Sequence, residues 1–296
     1  MHPDNVKVEV ASEVDQQKGA IPGWKQEYTQ LGGGSFRGRT VHAQLDGVEL
    51  FEERMNVRVE QAFQAPVDSI VFSFDMSDNT LYLLDETTCN TWVTPENYQE
   101  VSVVIKRGSA GLADRPFDIE PLILKPLQSR YCSLFCRWLS GVLEQVASAP
   151  NQLELEGLRT QVLEDCHFIL EQGLAFEQRD IVKAAQAKRI IQRVLERLRQ
   201  SPQDNLSLFD LSQAAGVSER KLQYVFREYA GMSPTQWLRT HRLNSARRDL
   251  LVSSARDTTV AHVAMRWSFW HLGRFAAAYL ALFGEHPSTT LGRQVG

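Results

Sequence analysis

Residues 265–288 read MRWSFWHLGRFAAAYLALFGEHPS: six aromatics, a run of three alanines, and only Arg266, Arg274 and Glu285 as formal charges. Such a stripe fits a buried helical hairpin, a membrane-seeking segment or a surface that reads another molecule, and periodicity alone does not choose. A bilayer demands roughly 18–20 clean apolar residues. The cleanest run here, FAAAYLALFG, is far shorter, so the membrane reading fails. The other two are separated by what lies upstream.

An internal repeat separates them. Leu208, Leu211, Gly216, Val217, Leu222, Phe226, Gly231 and Pro234 form one series; Val260, Val263, Ser268, Phe269, Phe275, Tyr279, Gly284 and Pro287 form a second. The upstream part recurs at an offset of 52 and the downstream part at 53, one residue being inserted at the turn. Each copy reads as a short helix, a tight turn and a second helix, the pattern of a helix-turn-helix. A small residue at the turn (Gly216, Ser268) allows close approach of the helices or a left-handed backbone. Between the copies, Ser233-Pro234 opens SPTQWLRTHRLNSARRDLLVSS, with Ser as N-cap and Pro at the first helical position. Its Leu238, Leu243, Ala246 and Leu250 point inward and its arginines outward. Two units on one straight helix place their second helices in successive major grooves about 34 Å apart. The opening stretch is therefore mostly core, with a narrow stripe toward DNA.

Charge agrees. Residues 1–183 hold 16 Lys+Arg against 28 Asp+Glu, a net of −12, whereas residues 184–296 hold 16 against 8, a net of +8; together they return the chain's −4. A basic module suits a polyanion and an acidic one is repelled by it, although clustered solvated charges give the same count. The chain has 296 residues, enough for about two domains. No basic-then-apolar leader opens it, and four scattered cysteines make no disulfide scaffold, so a cytoplasmic protein with free thiols is expected.

The N-terminal half has a different period. RTVHAQL, VELFEERMNVRVEQAF, SIVFSF and VSVVIKR alternate, and are broken at 45–47, 65–68, 77–80 and 94–97 by LDG, APVD, SDNT and TPEN. Short alternating runs between turns indicate antiparallel sheet, and several in a row suggest a small barrel or sandwich. YCSLFCRWLSGVLEQV and LRTQVLEDCHFILEQG then read as two amphipathic helices. The expected class is α+β: an N-terminal β-barrel or cupin-like sensor with a helical pair, then an all-α domain of two helix-turn-helix units joined by a long helix. The expected boundaries are a flexible arm at 1–20, a sensing or dimerisation domain at 21–175, a linker at 176–189 and a DNA-binding domain at 190–293. Within the last, the first unit covers 208–229, the linking helix 233–252 and the second unit 259–283.

With the paired motif in hand, LSLFDLSQAAGVSERKLQYVFREYAGMSPTQWLRTHRLNSARRDLL followed by VAHVAMRWSFWHLGRFAAAYLALFGEHPSTTL resembles the AraC/XylS-type DNA-binding domain over about 105 residues. RWSFWHLGRFAAAYLALFGEHPS, with GWKQEYTQLGGGSFRGR and DGVELFEERMN, resembles the branch containing the ethanolamine-operon regulator. Ser268 departs from the glycine usual there. The resemblance implies a bacterial transcription activator binding double-stranded DNA through both units, contacting RNA polymerase, and governed by an N-terminal effector or dimerisation domain, with a homodimer in view. It also implies that the effector is an amine, an amino alcohol or another carbon source.

Helical spacing nominates the contacts. In the first recognition helix Leu222, Val225, Phe226 and Tyr229 make the buried stripe, while Arg220, Gln223, Tyr224 and Arg227 fall on the opposite face. Arginine reads guanine and glutamine reads adenine through paired hydrogen bonds. The resemblance assigns base contacts to the positions of Arg220, Gln223 and Tyr224. Ser218 is the expected cap, its helix amides open to a phosphate. The equivalent stripe of the second helix is Gly273, Ala276, Ala277 and Leu280, flanked by His271 and Arg274. Alanine can only touch thymine methyls or let the backbone come close, so His271 and Arg274 are its polar contacts and this unit positions more than it reads. Trp270 is expected to pack. Lys221, Arg239, Arg242, Arg247 and Arg248 are candidate phosphate contacts.

The remaining constellations are weaker. Cys132, Cys136 and the Cys166-His167 pair invite a metal or redox reading, but free cysteines on apolar helix faces are usually core. A DNA-repair enzyme fused to this domain would place a thiolate beside cationic partners, and Cys89 in TTCNTW has none in sequence. LGGGS lacks the lysine of a phosphate loop, and His42 stands alone. No enzyme, metal or cofactor is expected. Trp24, Tyr28, Phe36, Phe72 and Trp92 are the candidate effector-pocket aromatics, with core packing as their ordinary role. The alternative to an effector is a protein partner, or a second copy, on the N-terminal domain.

Overall fold

The computed structural model describes residues 5–108, 119–128, 130–149, 155–174, 181–202, 204 and 206–293. They fall into two compact units, Met1–Tyr28, Phe36–Asn90 and Thr94–Glu177 in one, and Thr29–Ser35, Thr91–Val93 and Gln178–Gly296 in the other.

Sheet dominates the first unit. Its elements are β1 (Val6–Ala11), α1 (Val14–Gln17), β2 (Lys25–Gln30), β3 (Gly38–Leu45), β4 (Val48–Met55), β5 (Val59–Gln64), β6 (Ser69–Asp75), β7 (Thr80–Asp85), β8 (Cys89–Val93), β9 (Tyr98–Lys106), β10 (Leu127–Gln128), α2 (Arg130–Ser148) and α3 (Leu155–Leu174), except that the ends of β2 from Thr29 and of β8 from Thr91 fall in the other unit. The turn residues explain the breaks: Gly47, Asp68, Asn79 and Asn97 all carry positive φ, which glycine, Asn and Asp adopt most readily. Strand order is β1-β3-β4-β9-β6-β7-β10 in one sheet and β2-β5-β8 in another. The expected closed barrel is therefore corrected to two open sheets among the described residues. Edge strand β1 carries Lys7 and Glu9, and β10 is only two residues long, so neither edge favours closure. Residues 6–17, placed by their polarity in a flexible arm, instead form β1, paired along β3, and α1.

The seven-stranded sheet has two unlike faces. Val41, Leu50, Phe72, Leu83, Val101 and Val103 belong to an apolar core with Phe135, Cys136 and Leu139 of α2 and Val162 and Cys166 of α3. The three helix cysteines are core residues, and burial pushes the Cys136 and Cys166 thiols up. On the other face Glu53 and Glu100 stand directly opposite on β4 and β9. Glu53 accepts from Gln61 at 2.8 Å, Tyr28 at 2.9 Å and Gln17 at 3.1 Å. Glu100 accepts from Ser102 at 2.6 Å, Ser73 at 2.8 Å and Tyr98 at 2.9 Å.

Burial, and then the charge of Glu100, raise Glu53 to about 7. The folded state then holds a proton that the unfolded chain, titrating at 4.5, gives up. This contribution is full below pH 4.5 and is lost as pH rises through 7, a swing on the order of 3 kcal/mol for the printed values. Urea unfolding of the full chain between pH 5 and 8 should show stability falling with pH, and Glu53→Gln should flatten that slope.

The second unit is helical: α4 (Ile181–Gln200), α5 (Leu208–Ala215), α6 (Glu219–Ala230), α7 (Pro234–Val252), α8 (Val260–Arg266), α9 (Leu272–Phe283) and α10 (Pro287–Leu291). Of the expected linker, 176–180 lie outside the described residues and 181–189 are the first turns of α4. Ser207 and Ser233 close capping boxes with Asp210 and Gln236, and Ser218 and Thr259 cap α6 and α8. Gly216 and Ser268 occupy the same left-handed position in the two turns, at φ of +68° and +65°. Two cores result. One joins α4, α5 and α6 to Trp237 and Leu238 of α7; the other joins Leu243, Ala246 and Leu250 of α7 to α8, α9 and α10. Among the described residues no helix is long and apolar enough to cross a membrane.

Candidate nucleic-acid interface

Helix α6 buries Leu222, Val225, Phe226 and Ala230 against α5 and α7. That fixes the opposite face: Arg220, Lys221, Gln223, Tyr224 and Arg227 are all exposed. The Lys221 ammonium lies 5.5 Å from the centroid of the Tyr224 ring, so cation and aromatic form one surface. Ser218 accepts from the Lys221 amide at 3.3 Å, consuming one of the helix's open donors and leaving others at its first turn. This face offers two hydrogen-bonding heads, a phenol and two further cations on one side of a rigid helix.

In α9 the buried residues are Phe275, Tyr279, Leu282 and Phe283, while His271, Gly273, Arg274 and Ala277 are exposed and Ala276 is half-buried. A Cβ added at Gly273 would meet nothing within 4 Å. Its small size therefore serves no internal packing and leaves room for approach from outside. The inserted residue of the repeat is Trp270, because Phe269 matches Val217 and His271 matches Ser218. It is 69% exposed, so the packing role expected for it is corrected. The insertion lifts the indole clear of the core that Phe269 and Phe275 close behind it, their rings 5.0 Å apart.

The candidate phosphate contacts divide. Arg239 is exposed and reaches the Arg274 carbonyl at 3.4 Å. Arg242 is half-buried and donates to the carbonyls of Asp204 and Leu206 at 3.3 Å. Arg247 is only 7% exposed and is removed from the set. Its guanidinium bonds Glu285 at 2.8 Å and the Tyr279 hydroxyl at 3.1 Å, and lies 4.6 Å from the Phe283 ring centroid. Burial alone would raise Glu285; the Thr290 hydroxyl and Arg247 outweigh it and hold the carboxyl below its ordinary value. Arg247 is thus the polar centre of the second core.

Comparison with known proteins bears on this half. A family described as "Helix-turn-helix domain" matches residues 211–293. The XylDLEGF operon transcriptional activator of Pseudomonas putida is 37% identical over 100 residues, 34% of this chain and 31% of that protein. A crystal structure of a "probable AraC family transcriptional regulator from Rhodopseudomonas palustris CGA009" is 31% identical, covers 34% of this chain and 94% of that one, and superposes with a TM-score of 0.32. The C-terminal helix-turn-helix domain, residues 211–293, is of the AraC/XylS type. That rests on the sequence match and on the residues it covers, and the match spans about a third of the length of the Pseudomonas activator.

The matched domain occupies residues 211–293, so all five effector candidates lie outside it. The structure does not bring those five together. Tyr28 and Phe36 share a small core with Met55, Val59 and Tyr98. Trp24 packs edge-on against Phe51 at 5.9 Å. Phe72 faces the α2–α3 core, and Trp92 falls in the second unit. Burial of Glu53 and Glu100 was missed from sequence, since EE in a period-two run reads as solvated charge.

Proposed function

We propose that this chain is a sequence-specific transcription activator whose two recognition helices enter successive major grooves of duplex DNA. One observation carries the reading: α6 and α9 each bury one side in a core and expose the other, a polar and basic face in α6 and a small-residue face beside His271 and Arg274 in α9, in a half whose net charge is +8. Arg220, Gln223 and Tyr224 read bases; Lys221, Arg227 and Ser218 hold the backbone; His271, Arg274 and the small residues Gly273, Ala276 and Ala277 seat the second helix. The matched Pseudomonas protein is named an operon transcriptional activator, which supports activation; contact with RNA polymerase is what the AraC/XylS resemblance implies. The first unit senses a small molecule, an amine, amino alcohol or other carbon source by likeness to the ethanolamine branch.

A second reading of the first unit has its own support. Tyr131, Leu134, Trp138 and Phe168 of α2 and α3 are exposed around an apolar groove of about 260 Å³. An aromatic patch of this kind marks a protein-interaction face, here for a partner or a second copy.

The test is selection of genomic fragments on the full chain followed by titration with salt. Affinity should fall with a log–log slope of about 0.9 per phosphate neutralised, and the retained fragments should share two motifs. Weak, unselective binding would overturn the reading.

A further inference from the structure

The segment TQLGGGS, Thr29–Ser35, takes in the last two residues of β2 and belongs by its contacts to the helical unit, although Lys25–Tyr28 before it and β3 after it belong to the sheet unit. The Asn244 side chain of α7 pairs with both backbone groups of Gln30, accepting from its N–H at 3.0 Å and donating to its carbonyl at 2.9 Å. The Gln30 amide, 3% exposed, reaches the carbonyls of Leu282 at 2.6 Å, Gly34 at 2.7 Å and Gly32 at 2.8 Å. The Gly34 N–H donates to the Leu282 carbonyl at 3.0 Å. Leu31 is buried in the other core, with Trp237, Val194 and Leu195.

These contacts straddle a seam. The core of the first helix-turn-helix ends on α7 at Leu238, and that of the second begins at Leu243. Leu31 is held by the first core, while Gln30 and Gly34 are held by the end of α9 in the second. Close approach requires glycine. A Cβ at Gly33 would stand 2.8 Å from the Ala281 carbonyl oxygen, and one at Gly284 would stand 2.5 Å from the Ser35 hydroxyl. Both ends of the segment are rooted by buried aromatics of the sheet unit, Tyr28 on one side and Phe36 on the other.

We infer that Thr29–Ser35 is a strap that locks the two helix-turn-helix units into one register. The strap rests on the DNA-reading proposal, and adds that spacing discrimination depends on residues far from either recognition helix. With the strap seated, the two units bind as one rigid body. With it displaced, α7 alone joins them, and they reach differently spaced elements.

The experiment uses full-length Gln30→Ala, Gly33→Val and wild-type protein, each checked by circular dichroism and melting. Three duplexes are compared: the two-motif fragment recovered by selection, the same fragment with about 5 bp inserted between motifs, and a version with one motif scrambled. Wild type should lose on the order of 100-fold on insertion, the gain that rigid linkage confers. Both variants should lose at most a few-fold, with affinity for the single-motif duplex unchanged. A full insertion penalty in folded variants overturns the strap, as does loss of single-motif binding in step with the rest, which is packing alone. Wild-type binding indifferent to both motifs overturns the DNA reading instead. Gln30→Ala keeps the test open should the bulkier Gly33→Val not fold.

Discussion

An Arg220→Ala, Gln223→Ala double variant is expected to lose on the order of 1,000-fold in affinity for the selected element while melting at the wild-type temperature. Each paired base contact discriminates by about 1–3 kcal/mol, so losing both costs about 2–6 kcal/mol, a range that brackets the 1,000-fold loss. Neither side chain packs on the core, since both are exposed and the buried stripe runs through Leu222, Val225 and Phe226. Binding to random duplex should change far less, because phosphate contacts carry that term. Lys221→Ala supplies the contrast: a smaller, sequence-independent loss with a shallower salt dependence. Equal losses on selected and random DNA would show that α6 holds the backbone without reading bases.

Arg247→Met should destabilise the second helix-turn-helix by about 3 kcal/mol, because it strands a carboxylate in a core. Glu285 would keep Arg293, 2.7 Å away but exposed, so the loss belongs at the lower end of what broken buried pairs cost. Adding Glu285→Gln should recover part of the stability by removing the charge that has lost its buried partner. Urea unfolding of wild type and the two variants reads this directly. The salt slope of DNA binding by the Arg247→Met, Glu285→Gln protein should match wild type, as Arg247 touches Tyr279, Thr290 and Phe283 and is turned away from solvent. A slope reduced by about one would restore Arg247 to the phosphate contacts.

What was legible in the sequence was what local chemistry sets. The repeat at offsets of 52 and 53 marks both units, and the serine caps and glycine ends of the helices are written within four residues of where they act. The turns at Gly47, Asp68, Asn79 and Asn97 are equally local. Arg247 was misread although a signal existed: it lies four residues after Leu243 and three before Leu250, on the apolar stripe of α7, and its charge hid that spacing. The Glu53–Glu100 pair joins strands 47 residues apart, so no window along the chain contains it. Barrel closure and the docking of LGGGS on residues 244–284 are likewise decided by non-local pairing. Trp270 was misjudged because large aromatics are usually core; the one-residue insertion was the clue that it stands outside the repeat.

The most direct test of two-headed reading is a methylation-protection footprint of the full chain on a selected fragment. Two protected major-groove patches should appear on one face of the duplex, about 10 bp apart centre to centre. Arg220→Ala, Gln223→Ala should erase one patch, and Arg274→Ala should weaken the other. A single patch, unchanged by Arg274→Ala, would contradict the account and leave α9 as packing around Phe275 and Tyr279.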